Sequence, residues 1–331
     1  MADRPCPVPA PTGRSTYGPA LAGTASGSAA TQRPGVGTQL LASSATGAGL
    51  EARRFEMFEA QPEPSPQPES EPLSSQAQPT ASTTPWPGAL AAAERICVLS
   101  DIHGNVYSLE AVLREIRTLG CDRVVVAGDT AAHGPTPCEA VDLIRSLGCL
   151  VVRGNTDRYL AEGTAPPPGT RDPEQAVSLE WSRAQLGQDR LQFLGRLPHS
   201  VTLPGCLVVH GAPGDDERGI WPETPDAEIE AYGWGGTLLC GHTHRPFQRA
   251  LSCGEVVNVG SAGWTLDGDP RPSYALLERV GAGPWRTTLR RVDYDHSLPL
   301  EELERRQVPW RAAVSHYITT ATWRTPARTS P

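Results

Sequence analysis

The sequence predicts an α/β domain in which a second sheet packs on a first. Two observations carry this. Between Arg95 and Val152, strand-like and helix-like segments alternate over short links, the pattern of a parallel α/β start. After Pro198 the chain becomes strand-rich, which calls for a second sheet.

The elements follow in order. Residues 1 to 92 are rich in Pro, Ala, Ser, Thr, Gly and Gln, and Pro62, Pro64, Pro66, Pro68 and Pro72 punctuate a Glu-containing run. Such a segment buries too little apolar surface to offset its ordering entropy, so a disordered tail is expected, with a helical turn or two over Leu50 to Ala60. Arg95 to Ser100 is a short apolar run before a polar loop, hence a buried strand. Val106 to Leu119 places Leu109, Val112, Leu113 and Ile116 at helical spacing, and Gly120 ends it. Arg123 to Ala127 is a second strand, Cys138 to Leu147 a second helix with Pro137 near its first turn, and Leu150 to Val152 a third strand. Gln175 to Leu186 and Arg190 to Gly195 read as helices separated near Gly187.

Strands are then expected at Ser200 to Leu203, Cys206 to His210, Thr237 to Cys240, Phe247 to Leu251, Val256 to Val259, Ser273 to Leu277 and Arg286 to Val292, with a short helix at Asp226 to Ala231. The domain is placed at 93–297. The segment 298–331 is expected to hold one surface helix at Glu301 to Arg306 and, from about residue 313, a weakly ordered end.

Composition removes several functions. The net charge is −8, which argues against a basic nucleic-acid-binding face. All 29 basic residues are arginine, so Schiff-base and P-loop lysine chemistry are excluded. Met1 to Pro5 lacks the start of a signal peptide, and no run approaches the ~18 apolar residues that span a bilayer, so a soluble, cytoplasmic protein without a membrane partner is expected. The 8 cysteines form no CxxC. Cys97, Cys149, Cys206 and Cys240 sit in or beside apolar runs and are expected as buried reduced thiols.

The chemistry lies in five motifs, each just after a predicted strand: Asp101-Ile102-His103-Gly104-Asn105, Gly128-Asp129, Gly154-Asn155, His210-Gly211 and Gly241-His242-Thr243-His244. In open α/β sheets ligands bind beyond the carboxyl ends of strands, so these loops can converge. Two carboxylates, one amide and four imidazoles suit two divalent metals with one shared ligand, a centre that hydrolyses phosphate esters. In extended backbone, residues i and i+2 point the same way, so Asp101 with His103, and His242 with His244, can each reach one ion. Asp129 is the natural bridge, one oxygen towards each cation.

At these motifs the chain resembles the calcineurin-like metallophosphoesterase superfamily, in its small bacterial and archaeal phosphoesterase branch. The resemblance extends to Thr156-Asp157, to the helix carrying Leu109-Glu110-Ala111-Val112 and to Asn258-Val259-Gly260-Ser261-Ala262-Gly263, over roughly residues 95 to 292. It implies a four-layer α-β-β-α sandwich, two mixed sheets flanked by helices. It also implies that one metal takes Asp101, His103, Asp129 and His244, and the other Asp129, Asn155, His210 and His242. A hydroxide bridging the metals then attacks phosphorus. Mixed nitrogen and oxygen donors without thiolate, as in relatives, point to Mn²⁺ first, with Fe, Zn or Ni fitting the same set.

One position departs from the family. Many members carry a proton-donating His where this chain has Thr156, a poor acid at neutral pH. His133 is then a candidate donor or phosphate contact, or a structural histidine. Asn105 is a candidate phosphate contact or a helix N-cap. Trp221, Trp234 and Trp264 either stack a nucleobase or pack loops. The expected catalytic set is thus Asp129, Asn155, Thr156 and His133, acting on small phosphate esters: phosphodiesters or nucleotide-type phosphates. The alternatives are a phosphomonoesterase, including a protein Ser/Thr phosphatase, and a non-enzymatic scaffold of the same fold.

Overall fold

The structure is a computed structural model, and it describes residues 94–166 and 173–323. The expected tail over 1–92 and its turn at 50–60 lie outside the described residues.

Five strands make the first sheet, in the order β10-β9-β1-β2-β3. β1 (Arg95–Leu99), β2 (Arg123–Val126) and β3 (Leu150–Val151) are parallel, linked through α1 (Val106–Thr118) and α2 (Pro137–Leu147). β9 (Ser273–Glu278) and β10 (Arg286–Arg291) extend the other edge antiparallel. The second sheet runs β4-β5-β6-β8-β7. Its centre, β5 (Cys206–Val209), β6 (Gly236–Cys240) and β8 (Gly254–Asn258), is parallel, and β4 (Ser200–Leu203) and β7 (Phe247–Leu251) close the edges antiparallel.

Strand alternation explains how the sheets meet. Ile96 and Val98 of β1 point one way, into a core shared with Val125 of β2 and with Val208, Leu239 and Val257 of the facing sheet. Cys97 and Leu99 point the other way, against Leu109, Val112, Leu113 and Ile116 of α1 and Ile144 of α2. Both faces of β1 are therefore covered, which is why its sequence is an unbroken apolar run. Behind the second sheet the layer is thin: α5 (Asp226–Glu230) and its loop pack Ile229 and Ile220 on Leu238 and Val256. The expected four-layer sandwich of two mixed sheets is the fold observed.

Three local readings change. A helix, α3 (Asn155–Glu162), begins inside the Gly154-Asn155 motif, where Asn-Thr-Asp offers weak helix propensity. Asp157 sustains it by accepting the Gly154 N–H at 3.1 Å. Cys97 is joined to Cys121, at a Cα separation of 6.5 Å, so it is not the lone thiol expected. The end expected to be weakly ordered from about 313 carries α7 (Arg311–Thr320), which follows α6 (Ser297–Arg305). Val314, Tyr317 and Ile318 are buried with Trp310, Leu303 and Trp264. The β-branched and polar content of α7 hid it in the sequence; tertiary packing decides it. The helical pair expected around Gly187 is present as α4 (Pro173–Gly195), broken where Gly187 adopts φ 68°. Among the described residues no helix is long and apolar enough to cross a membrane.

Trp310 is 5% exposed. If the C-terminal helices belong to the domain's core, Trp310→Ala is expected to cost about 3–5 kcal/mol in urea denaturation, the range for emptying a buried aromatic site. A cost below ~1 kcal/mol would show the segment to be an appendage.

Candidate metal centre

All five motifs leave strands or open a helix at one edge of the sandwich. Asp101 and His103 follow β1, Asp129 follows β2, Asn155 starts α3 after β3, His210 follows β5, and His242 and His244 follow β6. The two sheets approach closely there. His242 N–H donates to Asp101 Oδ2 at 2.8 Å, and a Cβ at Gly241 would run into Ser100 and Asp101. A Cβ at Gly154 would likewise collide with the Asp129 carboxylate, so both glycines are required by close approach.

The backbone here is unusual. Asp101, His103, Asp129, His242 and His244 all have positive φ, between 49° and 67°. The extended i, i+2 geometry expected from spacing is thus corrected: paired left-handed residues aim the side chains inward instead. Such conformations cost of order 1–3 kcal/mol each and concentrate at functional sites. Buried bonds hold them. Asn258 Nδ2 donates to Gly241 O at 2.7 Å and Thr243 Oγ1 at 2.9 Å, and Ser261 Oγ donates to Asp101 O at 2.7 Å. This is the task of the Asn258 to Gly263 motif.

Three imidazoles have one nitrogen tied to a backbone carbonyl. His103 Nδ1 lies 3.2 Å from Ala132 O, His210 Nδ1 2.8 Å from Ala127 O and His244 Nδ1 2.7 Å from Trp264 O. A carbonyl only accepts, so Nδ1 carries a proton in each ring, and Nε2 is the nitrogen that can give a metal its lone pair. These Nε2 atoms face other acceptors. His103 Nε2 is 3.0 Å from His244 Nε2, and His210 Nε2 is 3.0 Å from Asn155 Oδ1. His242 joins the second group through Nδ1, 3.2 Å from both His210 Nε2 and Asn155 Oδ1. Asp101 Oδ1, wholly buried and without a hydrogen bond among the described residues, is 3.2 Å from His244 Nε2. Lone pairs so placed repel unless positive charge lies between them, and this donor set fits divalent metals.

Asp129 is expected to turn one oxygen towards each group of ligands. Asp129 Oδ2 lies 3.5 Å from both His103 Nε2 and His210 Nε2. Oδ1 accepts the Thr156 N–H at 2.9 Å. One oxygen, rather than two, therefore faces both halves. Burial would raise the pKa values of Asp101 and Asp129, but the neighbouring histidines outweigh it and hold both below the usual carboxylate range. Burial would lower His210, yet Asp129 lifts it to about 10. The pocket calls for cationic charge.

Asp157 is a positioning residue that its place in the motif signalled without revealing its task. Its carboxylate accepts the N–H groups of Asp129 (2.9 Å), Thr130 (2.9 Å) and Gly154 (3.1 Å), tying the Asp129 and Asn155 loops together. Burial and the Asp129 charge push its pKa up to about 7.

The remaining candidates separate. Asn105 caps α1: Oδ1 accepts Ser108 N–H at 3.3 Å, and Nδ2 donates to Gly263 O and Tyr294 Oη. Both ends of the amide are committed, so the phosphate-contact role is not where the structure places it. His133 lies on the buried side, its ring 5.8 Å from that of His103 and edge-on to Trp310 at 5.1 Å. Thr156 Oγ1 is buried without a hydrogen bond among the described residues. Trp264 is buried and stacks on His103 at 4.6 Å, so it braces the centre from behind. Trp234 packs behind the second sheet and donates Nε1–H to Thr237 O at 3.3 Å. Trp221 is exposed.

A family model described as a calcineurin-like phosphoesterase superfamily domain matches residues 95–281. The MJ0912 protein of Methanocaldococcus jannaschii is 28% identical over 232 residues, 65% of this chain and 93% of that protein. Phosphodiesterase YfcE of Escherichia coli is 24% identical over 196 residues, 56% of this chain and 87% of that one. A solved metallophosphoesterase from Sphaerobacter thermophilus matches with a TM-score of 0.60 at 26% identity, covering 70% of this chain and 100% of its own.

Asp157→Ala leaves three backbone donors without their acceptor. It is expected to weaken Mn²⁺ binding about 10–100-fold in calorimetry, the usual effect of losing an outer-shell partner. Unchanged affinity would remove Asp157 from the account.

Proposed function

The chain belongs to the calcineurin-like phosphoesterase superfamily, and on that premise we propose that it hydrolyses phosphodiesters or small nucleotide-type phosphates at a two-metal centre. The observation that carries this reading is the convergence of His103, His210 and His244 through Nε2 on Asp101 and Asp129, with every Nδ1 occupied by a carbonyl.

The donors divide into two groups. Asp101, His103 and His244 form one; Asn155, His210 and His242 form the other; Asp129 Oδ2 stands between them. Two divalent ions held there supply a shared water of lowered pKa and electrostatic stabilisation of the phosphate oxygens. Mn²⁺ is the first choice for imidazole, carboxylate and amide donors without thiolate, and Fe, Zn and Ni suit the same set.

The chain's own residues set the direction of approach. The first group is closed off by Trp264 and by the C-terminal helices packed on it. His242 is only part-buried, so the second group is the open side, where a small phosphate ester enters. Thr156 contributes its backbone N–H to Asp129, while its hydroxyl is a poor acid at neutral pH. Esters whose leaving groups depart without protonation are therefore the better substrates.

Chelation with EDTA is expected to abolish hydrolysis of bis(p-nitrophenyl) phosphate, and Mn²⁺ to restore it. Asp129→Ala and His210→Ala should each lower kcat/KM by more than about a hundredfold, beyond the effect typical of an outer-shell residue. Hydrolysis at the wild-type rate in both variants would contradict the assigned site.

A further inference from the structure

Trp221 is one of the few large apolar side chains exposed among the described residues, at 37%. The others, Val177, Val280, Leu298 and Trp323, lie in helices, turns or the chain end outside the metal loops. Trp221 lies on the segment that follows His210, and its position is fixed through Gly219. A Cβ at residue 219 would be 3.1 Å from Trp221 Nε1, 3.2 Å from His242 Cδ2 and 2.8 Å from Thr243 Cγ2. The indole and the part-buried metal-ligand imidazole thus flank one small space, kept clear because residue 219 has no side chain. Their edges are no farther apart than those first two distances laid end to end.

The backbone under Trp221 is firmly held. Trp221 N–H donates to Thr224 Oγ1 at 2.9 Å, and Thr224 N–H returns a bond to Trp221 O at 3.0 Å. Arg249 donates to Thr224 O and to Pro222 O, each at 2.7 Å, and pairs with Asp226 at 2.8 Å. Arg245 pairs with Glu223 at 3.0 Å. Yet the indole itself makes no hydrogen bond, ring stack or cation contact among the described residues. A rigid aromatic face with an unused N–H, beside the open half of the metal centre, is built to meet a flat ring carried on a phosphate.

We propose that Trp221 is a specificity-determining residue, the platform on which the base of a nucleoside phosphodiester lies while its phosphate sits over the His242 side of the centre. This rests on the two-metal reading and deepens it, since that reading by itself does not distinguish a nucleotide-type substrate from any other diester. Stacking on an aromatic side chain accepts every base, so the platform selects nucleosides without selecting sequence.

The test uses the full chain with Mn²⁺ and two diesters that share p-nitrophenol as leaving group: the p-nitrophenyl ester of thymidine monophosphate, and methyl p-nitrophenyl phosphate. Trp221→Ala is expected to raise KM for the nucleoside ester about tenfold, the scale of one lost base stack, with kcat nearly unchanged. KM for the methyl ester should stay at the wild-type value, and Trp221→Phe, which keeps a ring, should recover most of the loss. An unchanged KM for the nucleoside ester, or an equal rise for both esters, overturns the platform. Asp129→Ala separates the two readings. If that variant remains active on both esters, the metal centre is wrong and the proposal falls with it. If it is inactive while Trp221→Ala behaves as wild type, only the platform is wrong.

Discussion

The site depends on one electrostatic constraint: buried imidazole lone pairs are made to face one another and two carboxylates. Ala127, Ala132 and Trp264 each present a carbonyl to an Nδ1, which settles that His210, His103 and His244 keep their proton on Nδ1 and offer Nε2 to the site. The Nε2 atoms then converge at distances comfortable only with a proton or a metal between them. The rest of the edge serves this arrangement. Five candidate ligand residues are held in left-handed backbone, Gly154 and Gly241 let the loops pass at contact distance, and Asp157 locks two of those loops together. The strain and desolvation involved cost free energy that metal binding can offset, since the metal would bind the folded arrangement and not the unfolded chain.

Much of this was legible in the sequence. Strand ends could be read from short apolar runs, and the ligands from the polar residues that follow them. The N-cap at Asn105 and the break at Gly187 follow from local chemistry. What could not be read was set by tertiary contact. The tautomers depend on carbonyls distant in sequence: Ala127 lies 83 residues from His210. That Asp129 turns Oδ2 to the histidines depends on Thr156 N–H taking the other oxygen. Spacing suggested extended ligands because period-two alternation is the usual way for i and i+2 to agree; the left-handed alternative has no signature in residue spacing. Helix α7 was hidden because its stability comes from packing on Trp264 and Trp310 rather than from its own propensity.

The same packing makes the centre asymmetric. Asp101, His103 and His244 are sealed behind Trp264, His133 and the C-terminal helices, whereas His242 keeps partial access to solvent. Trp264 and Trp221 illustrate the division: the first is buried against a ligand it steadies, and the second stands exposed beside a ligand it leaves accessible.

The central claim is that the converging nitrogens and carboxylates hold two ions with Asp129 Oδ2 between them. Anomalous diffraction from crystals grown with Mn²⁺ tests it directly. The account predicts two peaks about 3.5–4 Å apart, one against Asp101, His103 and His244 and the other against Asn155, His210 and His242. A single peak, or ions bound elsewhere while these side chains keep their metal-free contacts, would contradict it.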